Sequence, residues 1–245
     1  MRKTSMMAVV LLAAISVAQA TYIDKDFDAL NSGTYTAAAD AFELGAASMT
    51  AGGGSVVYQV EDATAKFGAG QSVRLYDGST SSRNLILYDE AGSYTDTTGV
   101  FEFDFYFKTQ AGWTAQYMDL KVFNSTGADA MFFRFDGTML RYYDGSTWQD
   151  HAGIVTPDVK HTLRAEFDHS LGSRGRIDLY VDGGFLNTYA LRNASTDINS
   201  VQFYGSAARQ TDMSIDNLQV VPEPATMGLL GLGGLGALVI RRMRG

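Results

Sequence analysis

The sequence contains no cysteine, only three prolines and only three histidines among its 245 residues. The lack of cysteine excludes a disulfide framework and any thiolate-bound zinc or iron–sulfur site. Charged residues are also few, at 19%, but the hydrophobic fraction of 46% is normal for a folded chain and argues against wholesale disorder. We therefore expect one large folded domain, since all-β domains often exceed about 200 residues undivided.

Positive charge is scarce in the middle of the chain. The formal net charge is −8, and the two ends together hold five basic residues against one acidic residue. The body between them is therefore more acidic than the whole. A surface of this kind repels phosphate backbones, so we expect no nucleic-acid partner.

Residues 1–20 combine a basic start, an apolar run and a small-residue ending. Arg2 and Lys3 precede an apolar run over 6–17, and Ala18-Gln19-Ala20 follows. This order predicts a secretory signal peptide that signal peptidase cuts after Ala20. The alternative is an uncleaved N-terminal anchor, but about 12 apolar residues are too few to span about 30 Å of hydrocarbon as a helix.

Residues 222–245 form a second terminal signal. Pro222-Glu223-Pro224 is followed by an uncharged, glycine-rich apolar stretch over 225–240 and then by Arg241, Arg242 and Arg244. As a helix the apolar stretch would reach about 24 Å, which is enough for a short transmembrane helix in a thin bilayer. The arginines would hold its far end on the cytoplasmic side, with the preceding domain outside. A plain C-terminal anchor is the alternative to a processed tail.

The order of these three parts resembles the PEP-CTERM sorting signal. The resemblance implies a protein of Gram-negative-type bacteria that make extracellular polysaccharide. It also implies that an exosortase, a membrane cysteine protease, removes the tail near Pro222-Glu223-Pro224. The chain would then be anchored transiently in the inner membrane before reaching the cell surface or extracellular matrix. It would be the substrate of this processing and not its catalyst.

Residues 55–220 alternate apolar and polar side chains in short runs that are rich in aromatic and β-branched residues. This period of two is typical of half-buried strands. The runs are 55–60, 72–76, 84–88, 100–107, 117–123, 130–135, 162–167, 176–181, 200–204 and 214–221. Asp-Gly pairs, which favour tight turns, occur at Asp77-Gly78, Asp136-Gly137, Asp144-Gly145 and Asp182-Gly183. The pattern predicts an all-β domain over 21–221, a two-sheet antiparallel sandwich or jelly roll.

Five short motifs in this domain resemble the concanavalin A-like, laminin-G-like sandwiches. They lie at Phe101–Phe107, Phe132–Phe135, Lys160–Leu163, Ile177–Gly183 and Ser214–Val220. The resemblance implies the fold of that superfamily. It implies the activity less strongly, because one sandwich hosts many functions.

Glycosidases of this superfamily carry a Glu-x-Asp-x-Glu strand whose two glutamates share one face. Here Glu102, Asp104 and Tyr106 occupy the three positions. A phenol with a pKa near 10 is a poor substitute for a carboxylic acid that must cycle its proton near neutrality. We therefore expect a non-catalytic domain. The alternative is a secreted polysaccharide hydrolase or lyase that uses another set of carboxylates.

Two aspartates are candidate ligands for a structural Ca²⁺. In many sugar-binding sandwiches the first and last strands are neighbours and a calcium ion joins them, and the resemblance would make Asp28 and Asp216 its carboxylate ligands. Backbone carbonyls would have to complete the six to eight oxygens that Ca²⁺ needs. Acidic residues on a solvated face are the simpler interpretation. His161 is expected to be a structural residue at a strand start.

Aromatic rings in or beside predicted loops are candidate sugar platforms, because a flat ring stacks on the apolar face of a sugar. The candidates are Trp113, Tyr117, Tyr142 and Trp148. The alternative for each is packing within the fold. We therefore expect an exported domain that binds extracellular polysaccharide or serves an adhesive role in a biofilm. A coat protein without any ligand is the further alternative.

Overall fold

The computed structural model describes residues 23–35, 46, 48–51, 56–78, 84–113, 116–205 and 210–222. They contain sixteen β-strands and a four-residue helix. The strands are β1 (Ile23–Lys25), β2 (Gly33–Tyr35), β3 (Ser48–Ala51), β4 (Val56–Asp62), β5 (Gln71–Asp77), β6 (Asn84–Tyr94), β7 (Thr98–Phe107), β8 (Tyr117–Phe123), β9 (Asp129–Asp136), β10 (Met139–Tyr143), β11 (Trp148–Ala152), β12 (Lys160–Asp168), β13 (Arg176–Val181), β14 (Gly184–Ala190), β15 (Ile198–Gly205) and β16 (Thr211–Pro222). The helix α1 (Thr64–Phe67) connects β4 to β5.

The strands form two antiparallel sheets, as the alternation predicts. One sheet has nine strands in the order β14-β13-β12-β7-β16-β5-β4-β2, with β1 paired to β16. The other has seven strands in the order β11-β10-β9-β8-β15-β6-β3. The predicted all-β sandwich is therefore confirmed. The predicted signal helix and C-terminal transmembrane helix lie outside the described residues, and within the described ranges no helix has the length and apolarity to cross a membrane.

The core lies between the sheets and is rich in phenylalanine. Every second residue of β7 from 101 to 107 is a phenylalanine that points into the core, and all four are fully buried. Across the sandwich Phe103 meets Phe203 edge-on at 5.4 Å between ring centroids, and Phe105 lies 4.7 Å from Phe135. Aromatic pairs at these separations stabilise the contact between the two sheets.

Three of the four Asp-Gly pairs make tight hairpins. Gly137 and Gly145 adopt positive φ in the β9–β10 and β10–β11 turns, and Asp182-Gly183 does so at both residues in the β13–β14 turn. The prediction is wrong at Asp77-Gly78. Asp77 ends β5 in the nine-stranded sheet, and the next strand, β6, belongs to the other sheet, so the chain crosses between the sheets at this point.

Strand β16 lies in the interior of the nine-stranded sheet and pairs with three other strands. It pairs with β7 along most of its length, ending with Pro222 opposite Gly99. On its other side β5 pairs with its first half and β1 with its second half, where Ile23 lies opposite Val220. The first and last strands of the domain are thus neighbours, as the resemblance to sugar-binding sandwiches implies.

Candidate functional site

The four predicted sugar-contacting aromatics do not form one cluster. Tyr117 and Trp148 lie on the outer face of the seven-stranded sheet, at the starts of β8 and β11. Trp113 lies in the β7–β8 loop and contacts Tyr76 of the nine-stranded sheet at 5.6 Å between ring centroids. The prediction of Tyr142 as a sugar platform is wrong, because the residue is fully buried in β10, which is the packing alternative.

Tyr142 is a core residue whose hydroxyl is satisfied internally. The ring packs 5.2 Å from that of Phe133, and the hydroxyl donates a hydrogen bond to the Ala190 carbonyl at 2.9 Å. Burial raises the pKa of Tyr142 well above its ordinary value, so the phenol stays neutral. It is therefore unavailable to a sugar.

Strand register places the other aromatics and several arginines in adjacent rows. One row across β8 to β11 reads Asp119, Arg134, Arg141 and Asp150, and the next reads Lys121, Phe132, Tyr143 and Trp148. Residues two apart on a strand share a face, so both rows point away from the core. We call the outward side chains of Tyr117, Phe132, Arg134, Arg141, Tyr143 and Trp148 the aromatic face.

Arg134 stands between two rings of the aromatic face. Its guanidinium carbon lies 4.2 Å from the ring centroid of Tyr117 and 4.8 Å from that of Trp148. The same guanidinium makes two parallel hydrogen bonds to Asp119, at 2.6 and 2.9 Å. Burial raises the pKa of the Asp119 carboxyl, although the hydrogen bonds from Arg134 oppose the rise. The ion pair therefore fixes the arginine plane between the rings.

The remaining rings of the aromatic face are mutually packed. Trp148 lies 5.0 Å from Phe132 and 5.3 Å from Tyr143, and Arg192 sits 4.8 Å from the Phe132 centroid. All these side chains are partly exposed. The result is a partly exposed platform of rings held by planar cations, with hydrogen-bond donors at its edges.

The outer face of the nine-stranded sheet is different. We call it the charged face, and its residues are Glu61, Lys66, Arg74, Glu102, Asp104, Tyr106, Lys160, Thr162, Arg164, Asp212, Asp216 and Asn217. Glu102, Asp104 and Tyr106 do share this face, opposite the phenylalanines, as predicted. Asp104 accepts hydrogen bonds from Thr162 at 2.5 Å and Asn217 at 2.7 Å. It also pairs with Lys160 at 2.8 Å.

Glu102 and Tyr106 are also engaged. Arg164 pairs with Glu102 at 3.0 Å, and Gln219 donates to the same carboxylate at 3.2 Å. Burial, with the nearby Asp158 carboxylate, raises the pKa of the Tyr106 phenol. A phenol with a raised pKa is a weaker candidate for a general base near neutrality. The charged face also contains a depression of about 220 Å³, which is lined by Asp24, Glu102, Phe103, Asp104, Asn217 and Gln219.

The two predicted calcium ligands lie near each other. Burial raises the pKa of Asp216 to about 7, and the charges of Asp104 and Asp28 add to the rise. The Gln71 amide donates to Asp28 at 2.9 Å. Among the described residues, no group of three or more acidic or histidine side chains is arranged to hold a metal ion. The calcium site stays a prediction, and no step below depends on it.

His161 is a structural residue, as predicted. Its Nδ1 lies 2.7 Å from the Asp182 carboxylate, and its Nε2 lies 2.9 Å from the Thr156 amide nitrogen. The ring is nearly fully buried and packs on Phe105. These contacts join the start of β12 to the β13–β14 turn.

Sequence reasoning missed the arginines of the aromatic face. Arg134 and Arg141 alternate with core residues in β9 and β10, which a period-two pattern could have shown. Their meeting with Tyr117 and Trp148 depends on strand order, which one sequence does not supply.

The comparison with family models identifies the C-terminal signal. Residues 220–244 match the PEP-CTERM protein-sorting motif. The motif marks the chain as an exported protein with a C-terminal membrane anchor that exosortase processing removes. No curated protein sequence matches the chain significantly.

Solved structures with related folds include several carbohydrate-active proteins. A sialidase aligns with a TM-score of 0.60 at 13% identity, over 82% of this chain and 18% of the sialidase. A carbohydrate esterase from Shiga toxin-encoding bacteriophage phi24B aligns with a TM-score of 0.53 at 14% identity, over 79% of this chain and 100% of the esterase. An endo-β-1,4-glucuronan lyase from Trichoderma reesei aligns with a TM-score of 0.51 at 11% identity, over 84% and 96% of the two chains.

At these identities the likeness shows the fold alone. The chain spans less than a fifth of the length of the sialidase. The fold is an antiparallel two-sheet sandwich consistent with the concanavalin A-like class.

Proposed function

We propose that the exported sandwich is a non-catalytic module that binds an extracellular polysaccharide on its aromatic face. The observation that carries the proposal is that four partly exposed rings share one surface with Arg134 and Arg141; the rings are those of Tyr117, Phe132, Tyr143 and Trp148. Rings of this kind stack on the apolar faces of sugars. Arg134 and Arg141 use Nε and Nη2 in their pairs with Asp119 and Asp150, so the Nη1 group of each can donate hydrogen bonds to hydroxyls or to uronate carboxylates.

The charged face supports the non-catalytic half of the proposal. Catalysis by Glu102 and Asp104 would need a carboxyl group free to give and take a proton, but both carboxylates are held by cations and amides. The position of the second glutamate in the Glu-x-Asp-x-Glu pattern is occupied by Tyr106, whose phenol has a raised pKa. The alternative of a hydrolase or lyase on this face therefore has less support than binding on the aromatic face.

The test is retardation of the exported protein in gels that contain a dissolved polysaccharide. Alginate and glucuronan serve as acidic probes, and dextran and pullulan as neutral probes. The matched pair is Trp148→Ala and Trp113→Ala, because these are the two tryptophans of the chain and lie on different surfaces. We expect one class of polysaccharide to retard the wild type and Trp113→Ala, and Trp148→Ala to migrate as if no polysaccharide were present.

Salt distinguishes the two classes of ligand. Retardation by an acidic polysaccharide should weaken as ionic strength rises, whereas stacking on a neutral one should not. Absence of retardation by every probe would contradict the proposal and favour a passive structural role. Release of oligosaccharides during the run would favour the enzyme.

A further inference from the structure

The sorting motif begins inside the folded domain. It covers residues 220–244, and β16 continues to Pro222. Val220 is fully buried in the core, and Pro222 still lies opposite Gly99 of β7. The chain therefore leaves the sandwich directly from an interior strand, with no linker between the fold and the motif.

The distance from the sandwich to the membrane segment is short. The uncharged stretch begins at Ala225, three residues after Pro222. Three extended residues reach about 10 Å at most. The domain is thus held close to the bilayer by the end at which β16 stops.

The structure identifies the loops at that end. Both β12 and β16 end beside the start of β7, where Asp168 pairs with Thr98 and Pro222 pairs with Gly99. The β12–β13 loop therefore lies at the same end of the sandwich as Pro222. The tip of this loop carries Leu171, which is 37% exposed. Val159, which is 45% exposed, precedes β12 at the opposite end. The nine residues of β12 separate the two positions by about 30 Å.

We infer that the unprocessed protein stands end-on, with the Leu171 end of the sandwich against the bilayer and the Val159 end pointing away from it. The partner surface is the lipid headgroup layer. End-on standing leaves the aromatic face directed sideways and open to polysaccharide before the tail is cut. The inference rests on the proposed export and anchoring.

The test uses the full chain in a host without exosortase, so that the tail is retained. The chain has no cysteine, so Leu171→Cys and Val159→Cys each introduce a unique thiol. Membranes bearing either variant are treated with a bulky thiol-reactive polyethylene glycol, and the labelling rates are compared. Both sites are exposed, so neither substitution should disturb the fold. Labelling after detergent solubilisation supplies the control for intrinsic reactivity.

We expect the cysteine at 171 to react several-fold more slowly than that at 159 in membranes, and at a similar rate in detergent. Equal rates in membranes would overturn the end-on orientation and leave the anchoring intact. Slower reaction at 159 would reverse the orientation. A chain that does not sediment with membranes would overturn the anchoring itself, and the orientation with it.

Discussion

The charged face and the aromatic face are built from the same alternation of buried and outward residues, yet they present different chemistry. On the charged face, Asp212 is almost fully buried and receives two hydrogen bonds from Arg74, both at 2.7 Å. On the aromatic face, Arg134 makes a similar pair with Asp119 but also lies between two rings.

The difference indicates that the charged face serves stability and the aromatic face serves ligand binding. The polar groups of the charged face satisfy one another, so a ligand would have to replace bonds that already exist. The rings of the aromatic face are partly exposed, and a sugar can cover them without breaking existing hydrogen bonds or ion pairs. Substitutions on the charged face should therefore change stability, and those on the aromatic face should change binding.

The largest expected effect is that of Asp212→Ala on stability. The change leaves the Arg74 guanidinium without its partner in a half-buried position, which should lower the free energy of unfolding by about 3 kcal/mol. Polysaccharide retardation should stay unchanged, because the aromatic face is on the other sheet. Urea unfolding and the retardation gel measure the two quantities. Loss of binding in a variant that is still fully folded would break the comparison.

Arg134→Ala should affect both quantities. The change leaves the carboxylate of Asp119, which is 3% exposed, without its cation. It also removes the guanidinium group that lies between the rings of Tyr117 and Trp148. We expect a loss of about 2 kcal/mol in unfolding free energy together with weaker polysaccharide binding. The same two assays apply. A variant with full affinity would show that the arginine serves the fold alone.

Asp216→Asn tests whether the negative charge of Asp216 is balanced by its neighbours on the charged face. Burial raises the pKa of Asp216 to about 7 in the folded protein, against about 3.9 in an unfolded chain. Between these values the folded state binds more protons, so this group makes stability fall as the pH rises from about 4 to 7. The asparagine variant should match the wild type near pH 4 and become progressively more stable than it as the pH rises to about 8.

Urea unfolding of both proteins across this range measures the difference. Asparagine can still accept the hydrogen bond that the Asn217 amide donates to residue 216, so the comparison is well matched. A difference that stays constant with pH would show that Asp216 titrates normally.

The smallest expected effect is that of Tyr106→Phe. The Tyr106 hydroxyl lies 3.5 Å from Asp158, too far for a strong hydrogen bond. We expect a change within about 0.5 kcal/mol in unfolding free energy and no change in retardation. Both proteins are also incubated with the polysaccharide that they bind. If the wild type releases oligosaccharides and Tyr106→Phe does not, Tyr106 is catalytic and the enzyme alternative is correct.

Sequence reasoning was most successful where alternation is strict. The sequence predicts strand β8 at its true bounds and β7 within two residues, because apolar core residues recur there at every second position. It misses β14, whose residues are mostly exposed, and the two five-residue strands β10 and β11, although it predicts the turn between them at Asp144-Gly145. Tyr142 was placed beside a loop for the same reason.

The candidate site was predicted only in part. Ring chemistry singled out Tyr117 and Trp148, but the order of strands in the sheet decides that they meet and that Trp113 does not join them. Arg134 was overlooked because its function depends on two rings from other strands. Long-range pairing of this kind is not encoded in the local pattern of one sequence.

The central claim is that polysaccharide binds beside Trp148 and not beside Trp113. Tryptophan fluorescence during titration with the retarding polysaccharide tests it most directly, because Trp113→Phe leaves only Trp148 to report and Trp148→Phe leaves only Trp113. We predict a saturable change in intensity or wavelength for the variant that retains Trp148, and a flat signal for the one that retains Trp113. A saturable change reported by Trp113 alone would place the ligand on the nine-stranded sheet and contradict the account.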